Sequence, residues 1–313
     1  MITSKMKQIE ISFIIPAHNE GKIIGKTLDN LYKLPYEKYE VLVGLDGCTD
    51  KTEDIVKSFT KKSGKFKYFK MKSRSGKPEV IDYLIKKSKG DIIVINDADW
   101  IFRFNNKSSL GLFFSVFDNK RVGGIAESFP VEWGGSKLKK ANIWYKAVAY
   151  GNYFWIKYQK QSFTKSKKGL LYINDPAMFL TNIFRKKLYK KNLSLGDDFE
   201  RTRDIKKQGF EIVIFDEEEM PRNIASYQDI KLKDLVKQKI RTGVARNQIE
   251  SKGENLKKYQ FGSGIFIIFN SWKMGFSSGL YANLWLVITL VGGIIAKFKK
   301  TDTREGWLLR AKR

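Results

Sequence analysis

Two aspartates separated by one residue follow an apolar segment of the chain. Asp97 and Asp99 flank Ala98 directly after Ile92–Asn96. Two carboxylates at this spacing on a loop can hold one hard divalent cation, which keeps water ligands and coordinates a substrate diphosphate. The pattern therefore predicts a site for Mg²⁺ or Mn²⁺. Asp-x-Asp is frequent by chance, so its weight depends on what lies near it in the fold.

A second acidic pair, Asp197 and Asp198, precedes the predicted helix Phe199–Lys207. A carboxylate beside a substrate hydroxyl can act as a general base. Acidic residues are also favoured at the N-terminus of a helix, where they stabilise unpaired backbone N–H groups. Catalysis and helix capping are thus both open for this pair.

The elements that would position these acids alternate between strand and helix. The predicted strands are Ile11–Ile15, Tyr39–Leu45, Phe66–Met71 and Ile92–Asn96, and the intervening segments, such as Val80–Lys87, have helical spacing of apolar residues. Alternation of this kind predicts a doubly wound α/β sheet of mostly parallel strands. Ligands of such sheets bind beyond the carboxyl ends of the strands. The polar residues at those ends are His18, Asn19, Glu20, Asp46, Asp97 and Asp99.

Several classes of protein are excluded by what the sequence lacks. No GxGxxG follows the first strand and no GxxxxGK[ST] occurs, so neither common phosphate-binding loop is present. Cys48 and His18 are the single cysteine and histidine, which excludes an internal disulfide and a Cys/His zinc site. The segment Met1–Glu10 carries no apolar run, so we expect no secretory signal and a cytoplasmic catalytic domain.

The 313-residue chain is strongly basic, with 59 Lys and Arg against 33 Asp and Glu, a formal net charge of +26. Such an excess favours anionic partners, either phosphorylated substrates or an acidic membrane surface. Lysine pairs such as Lys61–Lys62 and Lys190–Lys191 are scattered along the chain, as on solvated helix faces. Without a recognisable RNA- or DNA-binding module, we do not expect a nucleic-acid partner.

The C-terminal part is apolar. The 23 residues Met274–Ala296 carry no charge, and as a helix they would extend about 35 Å, enough to cross a bilayer. Phe261–Trp272 is shorter and suits an interfacial or re-entrant piece. Basic residues lie both before and after the apolar part of the chain, so a hairpin or an in-plane helix fits better than a single membrane crossing. A buried helix pair in a soluble protein is the alternative. The basic tail comprises Lys297, Lys299, Lys300, Arg304, Arg310, Lys312 and Arg313.

Taken in order, the motifs resemble those of the family 2 inverting glycosyltransferases, which have the GT-A nucleotide-sugar fold. Pro16–Glu20 resembles the first-strand motif of the family. Leu45–Asp50 resembles its Asp-Asp-Gly-Ser-Thr-Asp loop, with Leu and Cys at two positions. Gln238–Thr242 is similar to the Gln-x-x-Arg-Trp motif, in which threonine here replaces the tryptophan and so disfavours processive polymerisation. The similarity extends from about Ile9 to Gln248.

The resemblance implies a role for each matching residue. Asp46 would bind the nucleotide base, Lys77 would approach the diphosphate, Asp97 and Asp99 would hold the metal, and Asp198 would be the general base. The implied donor-binding residues are Pro16, Ala17, Asn19, Glu20, Asp46, Lys77, Asp97 and Arg241. Asp197 would join Asp198 in the catalytic pair, and Gln238 and Thr242 would contact the acceptor.

The resemblance also implies the domain organisation and the activity. We expect a GT-A domain over residues 1–255, with a donor half at about 1–105 and an acceptor half at 106–255, followed by a membrane-associated apolar helical segment at 256–313. The expected enzyme is a metal-dependent inverting glycosyltransferase that moves a sugar from a nucleotide-diphosphate donor, expected to be UDP-linked, to a glycan or polyprenyl-linked acceptor. The alternatives are a non-catalytic membrane- or anion-binding protein on the same scaffold and a nucleotidyltransferase, which would release pyrophosphate.

Overall fold

The computed structural model describes residues 11–133, 135–167, 169–191, 194–216, 219–225 and 230–299. The expectations about residues 1–10 and about the basic tail from Lys300 onward lie outside these ranges. The strands are β1 Ile11–Ala17, β2 Tyr39–Leu45, β3 Phe66–Lys70, β4 Ile92–Ile95, β5 Trp100–Arg103, β6 Val122–Ile125, β7 Thr164–Lys167, β8 Leu170–Ile173, β9 Ile183–Arg185, β10 Glu211–Ile214 and β11 Arg222–Ala225. The helices are α1 Ile24–Tyr32, α2 Thr52–Lys62, α3 Lys77–Lys87, α4 Lys107–Ser115, α5 Gly135–Lys140, α6 Ile143–Phe163, α7 Asp197–Lys207, α8 Leu232–Glu250, α9 Lys257–Ser271 and α10 Phe276–Lys297.

The central sheet has nine strands in the order β3-β2-β1-β4-β9-β6-β10-β8-β7. Pairing is parallel through β3, β2, β1 and β4 and again between β6 and β10, whereas β9 and β8 run opposite to their neighbours. All seven residues of β1 are buried, as a strand covered by helices on both faces requires. A separate two-stranded ribbon pairs β5 with β11. The predicted α/β class and its mostly parallel sheet are confirmed.

The first four predicted strands are found within two residues of their predicted ends. Strand β2 has the predicted limits, and β1 continues through Pro16 to Ala17. Proline is tolerated at this position because it lies near the end of the strand, where its missing N–H removes little of the hydrogen-bonded pairing. Beyond Asp99 the strands are short and partly antiparallel, and hydrophobic periodicity alone did not predict them.

The two C-terminal helices pack on the catalytic part of the chain. Helix α10 contacts α6, α8 and α9, and its inner residues Ala282, Trp285 and Ile288 belong to the same core cluster as Ile14 of β1. The predicted boundary at residue 255 falls in the link between α8 and α9, but the apolar segment forms one continuous core with the α/β part.

Glycines allow this close packing. A Cβ on Gly151 of α6 would overlap the indole of Trp285, and a Cβ on Gly243 of α8 would lie 2.6 Å from the Cβ of Ala296. Small residues at helix crossings let the backbones approach each other. Helix α6 therefore packs against both α9 and α10.

The outer face of α9 and α10 is apolar and exposed. Phe269, Phe276, Leu290 and Ile294 are 68%, 75%, 60% and 59% exposed. Among the described helices, α10 alone is long and apolar enough to span a bilayer, and a third of its most apolar window is buried against the protein. Contiguous apolar patches of this kind mark membrane or protein contact surfaces.

The packing at Gly151 gives a test of how α10 is held. We expect Gly151→Ala to destabilise the protein by about 1 to 3 kcal/mol, because the added methyl group overpacks the contact with Trp285. Gly111→Ala is the matched control, since Gly111 also lies in a helix and a Cβ there meets no atom within 4 Å. Thermal unfolding measures both variants. Equal melting temperatures for the two would contradict the packing described.

Candidate active site

A cavity of about 180 Å³ lies between α3, α7 and α8, next to the loop that follows β4. Six of the residues predicted from the sequence line it, namely Lys77, Asp97, Asp198, Gln238, Arg241 and Thr242. These residues come from four separate parts of the chain, and the fold brings them together around one cavity. Trp100, Trp155 and Trp285 also line this cavity.

An ion pair connects the first helical residue of α3 with the acidic loop. The Nζ atom of Lys77 lies 2.7 Å from Oδ1 of Asp97, and the two side chains are 16% and 15% exposed. Lys77 is therefore mostly shielded from solvent and held in place by the ion pair. Its ammonium faces the cavity, where it can meet an anionic ligand.

Asp198 lies in the first turn of α7 and is partly accessible from the cavity. Burial, and then the neighbouring charge of Asp197, raise the pKa of Asp198 to about 6, while Lys77 and Arg201 act in the opposite direction. A carboxylate with a pKa near the working pH is a better proton acceptor than an ordinary aspartate. Its position and its pKa both suit a general base.

Asp197 points elsewhere. Its side chain is 6% exposed, forms an ion pair with Arg201 one turn along α7, and is absent from the cavity lining. The Arg201 guanidinium also donates to the carbonyl of Thr181 and to Oδ1 of Asn182, at 2.9 and 3.0 Å. This placement disfavours the catalytic role predicted for Asp197 and gives it a part in anchoring the start of α7.

The carboxylate of Asp46 is buried beneath the loop that leads into α3. It accepts hydrogen bonds from the backbone N–H of Ser75 at 2.7 Å, from the Ser75 hydroxyl at 3.0 Å and from the N–H of Gly76 at 2.9 Å. Gly76 has φ +90°, a conformation that favours glycine. Asp46 thus fixes the residue that precedes Lys77, and its predicted contact with a base stays a prediction.

The other residues at the ends of β1 and β2 tie two loops together. Asn19, at φ +53°, accepts a 2.7 Å hydrogen bond from the N–H of Thr49, and the N–H of Glu20 donates to Thr52 Oγ1 at 2.8 Å. Nδ1 of His18 lies 2.6 Å from the carbonyl oxygen of Asp46. Pro16, Ala17, Asn19, Glu20 and Asp46 lie outside the cavity lining, so their donor-binding roles stay predictions.

The two carboxylates predicted to bind a metal fit a hard cation only in part. Asp97 faces the cavity, whereas Asp99 is 1% exposed and does not line it. Within the described ranges no three His, Cys, Asp or Glu side chains are grouped so as to hold a metal. Two carboxylate residues without thiol or imidazole fit Mg²⁺ or Mn²⁺, which take their remaining ligands from water and substrate phosphates. The predicted pair is therefore compatible with such a cation once a diphosphate supplies the other ligands.

The model of the family described as Glycosyl transferase family 2 matches residues 12–188, more than half of the chain. The chain belongs to this family. It is 28% identical over 255 residues to a dolichyl N-acetyl-α-D-glucosaminyl phosphate 3-β-D-2,3-diacetamido-2,3-dideoxy-β-D-glucuronosyltransferase of Methanococcus voltae, covering 78% of this chain and 74% of the relative. The protein is thus a glycosyltransferase.

Solved structures show the same GT-A fold. The mannosyltransferase PcManGT of Pyrobaculum calidifontis, solved with GDP-Man and Mn²⁺, superimposes with a TM-score of 0.57 at 16% identity, covering 97% of this chain and 79% of that one. Residues 1–349 of Staphylococcus aureus TarS, solved with UDP-GlcNAc, give 0.51 at 16% identity and cover 92% and 81%. At these identities the likeness establishes the fold.

A further acid of this glycosyltransferase was not predicted from the sequence. Glu127 follows the end of β6, is 3% exposed, and accepts a 3.0 Å hydrogen bond from the side chain of Asn223. Burial raises the pKa of Glu127 to about 7, an effect that hydrogen bonds from Asn223 and Asn182 oppose and the charge of Asp198 adds to. No local motif marks Glu127, but its place after a strand of the sheet is the same signal that indicated Asp46 and Asp97.

Glu127 makes the stability of the enzyme depend on pH. When the pKa of a carboxyl group is higher in the folded protein than in the unfolded chain, the protein loses stability as the pH rises from the unfolded pKa to the folded pKa. Between pH 4.5 and 7 we expect Glu127 to remove about 2 to 3 kcal/mol from the free energy of unfolding. In Glu127→Gln this pH-dependent loss should be absent, whatever the offset in absolute stability.

Denaturant unfolding from pH 4.5 to 8 measures the effect. The exposed Glu37→Gln variant is the control and should retain the wild-type slope. An unchanged slope in Glu127→Gln would mean that Glu127 ionises in the folded protein as in solution.

Proposed function

We propose that this glycosyltransferase is metal-dependent and inverting, and that it moves a sugar from a UDP-linked donor to a glycan or lipid-linked acceptor with Asp198 as general base. The observation that carries the proposal is the meeting of Lys77, Asp97, Asp198 and Arg241 on one cavity. Such a transfer needs cationic groups that stabilise the departing diphosphate. It also needs a carboxylate of raised pKa that accepts the proton of the acceptor hydroxyl.

The proposed transfer is a single displacement. An acceptor hydroxyl oxygen attacks the anomeric carbon on the side opposite the nucleotide, and a new C–O bond forms while the bond from that carbon to the diphosphate oxygen breaks. Asp198 takes the hydroxyl proton. Lys77 and Arg241 place fixed positive charge beside the departing diphosphate, and the planar guanidinium of Arg241 suits two phosphate oxygens at once.

Asp97 and Asp99 would hold the divalent cation, as predicted from the sequence. When bound, the cation neutralises charge on the leaving diphosphate. The Mn²⁺ in the complex of the P. calidifontis mannosyltransferase supports metal use. That complex contains GDP-Man and the TarS complex contains UDP-GlcNAc, so our choice of UDP rests on the resemblance of Asp46 to the base-binding aspartate.

The C-terminal helices support the proposed lipid-linked acceptor and membrane location. The M. voltae relative is named for a dolichyl-linked acceptor, and α9 and α10 expose an apolar face beside the catalytic part. We therefore propose that residues 256–313 hold the 1–255 domain at the cytoplasmic surface of a membrane. Because the inner side of α10 packs on α6 and α8, we favour a hairpin or an in-plane helix over an isolated span.

The activity is tested by incubating the full-length protein with UDP-, GDP- and dTDP-sugars and Mg²⁺ or Mn²⁺. We expect nucleoside diphosphate release from a UDP-sugar, dependent on metal, with a rate that rises with pH through about 6 as Asp198 loses its proton. Asp198→Asn should lower turnover about 10²- to 10⁴-fold because the general base is lost.

Asp54→Asn, which changes an exposed acid of α2, is the matched control and should keep wild-type turnover. Release of pyrophosphate instead of nucleoside diphosphate would identify a nucleotidyltransferase. Wild-type turnover by Asp198→Asn would refute the assignment of the base.

Membrane attachment is tested by flotation with vesicles of phosphatidylglycerol and phosphatidylcholine at high salt. Wild-type protein should float, and the double variant Phe269→Asp/Phe276→Asp should partition at least about tenfold less, because burying each phenylalanine contributes about 1.5 to 3 kcal/mol. Leu112→Asp is the control, since Leu112 of α4 is 61% exposed outside the C-terminal helices. Equal loss in the control, or none in the double variant, would contradict attachment through this face.

A further inference from the structure

A second cavity, of about 330 Å³, lies between α8, α9 and α10 and adjoins the catalytic one. The two cavities share three lining residues, Trp155, Arg246 and Trp285. On its outer side the second cavity is lined by Leu290 and Ile294, which belong to the exposed apolar face of α10. A continuous path of lining residues therefore leads from the catalytic aspartate to the surface that we propose faces lipid.

Two cations of α8 lie beside Trp285 on the catalytic cavity, and one of them, Arg246, lines both cavities. Lys239 and Arg246 both line the catalytic cavity, and they are two helical turns apart on the same face of α8. The Lys239 ammonium lies 3.8 Å from the centre of the Trp285 ring. Burial lowers the pKa of Lys239, and the nearby charge of Arg246 lowers it further. Neither cation forms an ion pair with a carboxylate in the described part of the chain.

The same place holds buried N–H groups that lack an acceptor among the described residues. They are Nε of Arg246 and the indole Nε1 of Trp285, whose side chain is 4% exposed. A buried donor without an acceptor costs about 1 to 3 kcal/mol. An anion with several oxygen atoms would accept from both groups and would offset the charge of Lys239.

The charges around the second cavity also favour an anion. Arg246, Lys257 and Lys297 line it together with one acid, Glu250. Glu250 is one turn beyond Arg246 on α8 and its charge acts on the Arg246 guanidinium. Three cations against one carboxylate leave an excess of positive charge beside an apolar wall, which is the combination that an anionic amphiphile requires.

We propose that the two cavities form one acceptor channel for a sugar carried on a single-chain lipid phosphate. Lys239, Arg246 and Trp285 bind the phosphate, the sugar hydroxyl lies towards Asp198, and the chain leaves along Leu290 and Ile294. The inference rests on the proposed function, and it deepens it by naming the acceptor class and the residues that hold it. An acceptor is favoured over an ordinary bilayer lipid because the cationic cluster shares its walls with Asp198. The donor diphosphate is matched to other cations, Lys77 and Arg241.

The test is equilibrium binding of a short-chain prenyl phosphate to full-length protein in detergent, with the corresponding prenol, inorganic phosphate and phosphatidylglycerol as comparison ligands. The variants are Arg246→Gln and Lys239→Met, the second of which keeps an unbranched stem against Trp285. Lys233→Gln is the matched control, because Lys233 is an exposed lysine of the same helix. Circular dichroism and donor titration on each sample report whether the variant is folded.

We expect the prenyl phosphate to bind at least about tenfold more tightly than the prenol or inorganic phosphate, since chain and phosphate each contribute. Arg246→Gln should weaken prenyl phosphate binding by about tenfold, the loss expected for one charge-assisted hydrogen bond. Lys239→Met should weaken it in the same direction, and Lys233→Gln should leave it unchanged.

Unchanged binding in both folded variants would overturn the proposal, and phosphatidylglycerol competing as well as the prenyl phosphate would make the site one for bilayer lipid. Donor turnover with a soluble glycan, without any binding of prenyl phosphate, would overturn this inference and leave the proposed function intact. Arg246-dependent prenyl phosphate binding without turnover of any donor would support the site and contradict the proposed function.

Discussion

The contact between α8 and α10 is the one on which the rest of the site depends. A Cβ on Gly292 of α10 would lie 2.6 Å from the Cβ of Lys239, and the side chain of Asn247 donates to the carbonyl of Ala296 at 3.3 Å. Helix α8 also supplies Gln238 and Arg241 to the catalytic cavity. A helix held so closely on one side can present its other side in a fixed orientation. Helix α10 therefore helps to position the lining of the candidate active site and is also a candidate means of membrane attachment.

The positive charge of Lys77 acts on two carboxylates that line the same cavity. Its ammonium pairs with Asp97, and its charge also opposes the rise in the pKa of Asp198. In the proposed reaction a donor diphosphate competes with these carboxylates for the same ammonium. When the diphosphate takes part of that charge, Asp198 loses some of the stabilisation of its ionised form and becomes a stronger base. In the proposed reaction, binding of the donor would therefore raise the basicity of the group that activates the acceptor.

The sequence predicted the donor half of the fold well because its strands are buried on both faces and its helices are amphipathic. Strand β2 was predicted to the residue, and Lys77, Asp97 and Asp198 meet as expected. The rest was harder to predict. Strand β9 is short and antiparallel, and its partners β4 and β6 lie far away in the chain, whereas β7 is short and largely exposed and so carries no apolar pattern. Motif position could not show that Asp197 turns towards Arg201 or that Asp99 is buried, because both depend on tertiary contacts. Glu127 and Arg246 were missed because neither belongs to a local pattern.

Lys239 and Arg246 show where the fold departs from the ordinary rules of stability. Both side chains are partly shielded from water. A partly desolvated cation without a carboxylate partner costs stability, and a chain selected for stability alone would place an apolar residue there. An apolar residue would fit at this place, because the neighbouring glycines and Trp285 already form a close apolar contact between α8 and α10. Departures of this kind are expected where a ligand completes the structure. An anionic acceptor supplies the missing charge at the point where the two cavities meet, so occupancy of the channel should strengthen the α8–α10 contact that positions Gln238 and Arg241.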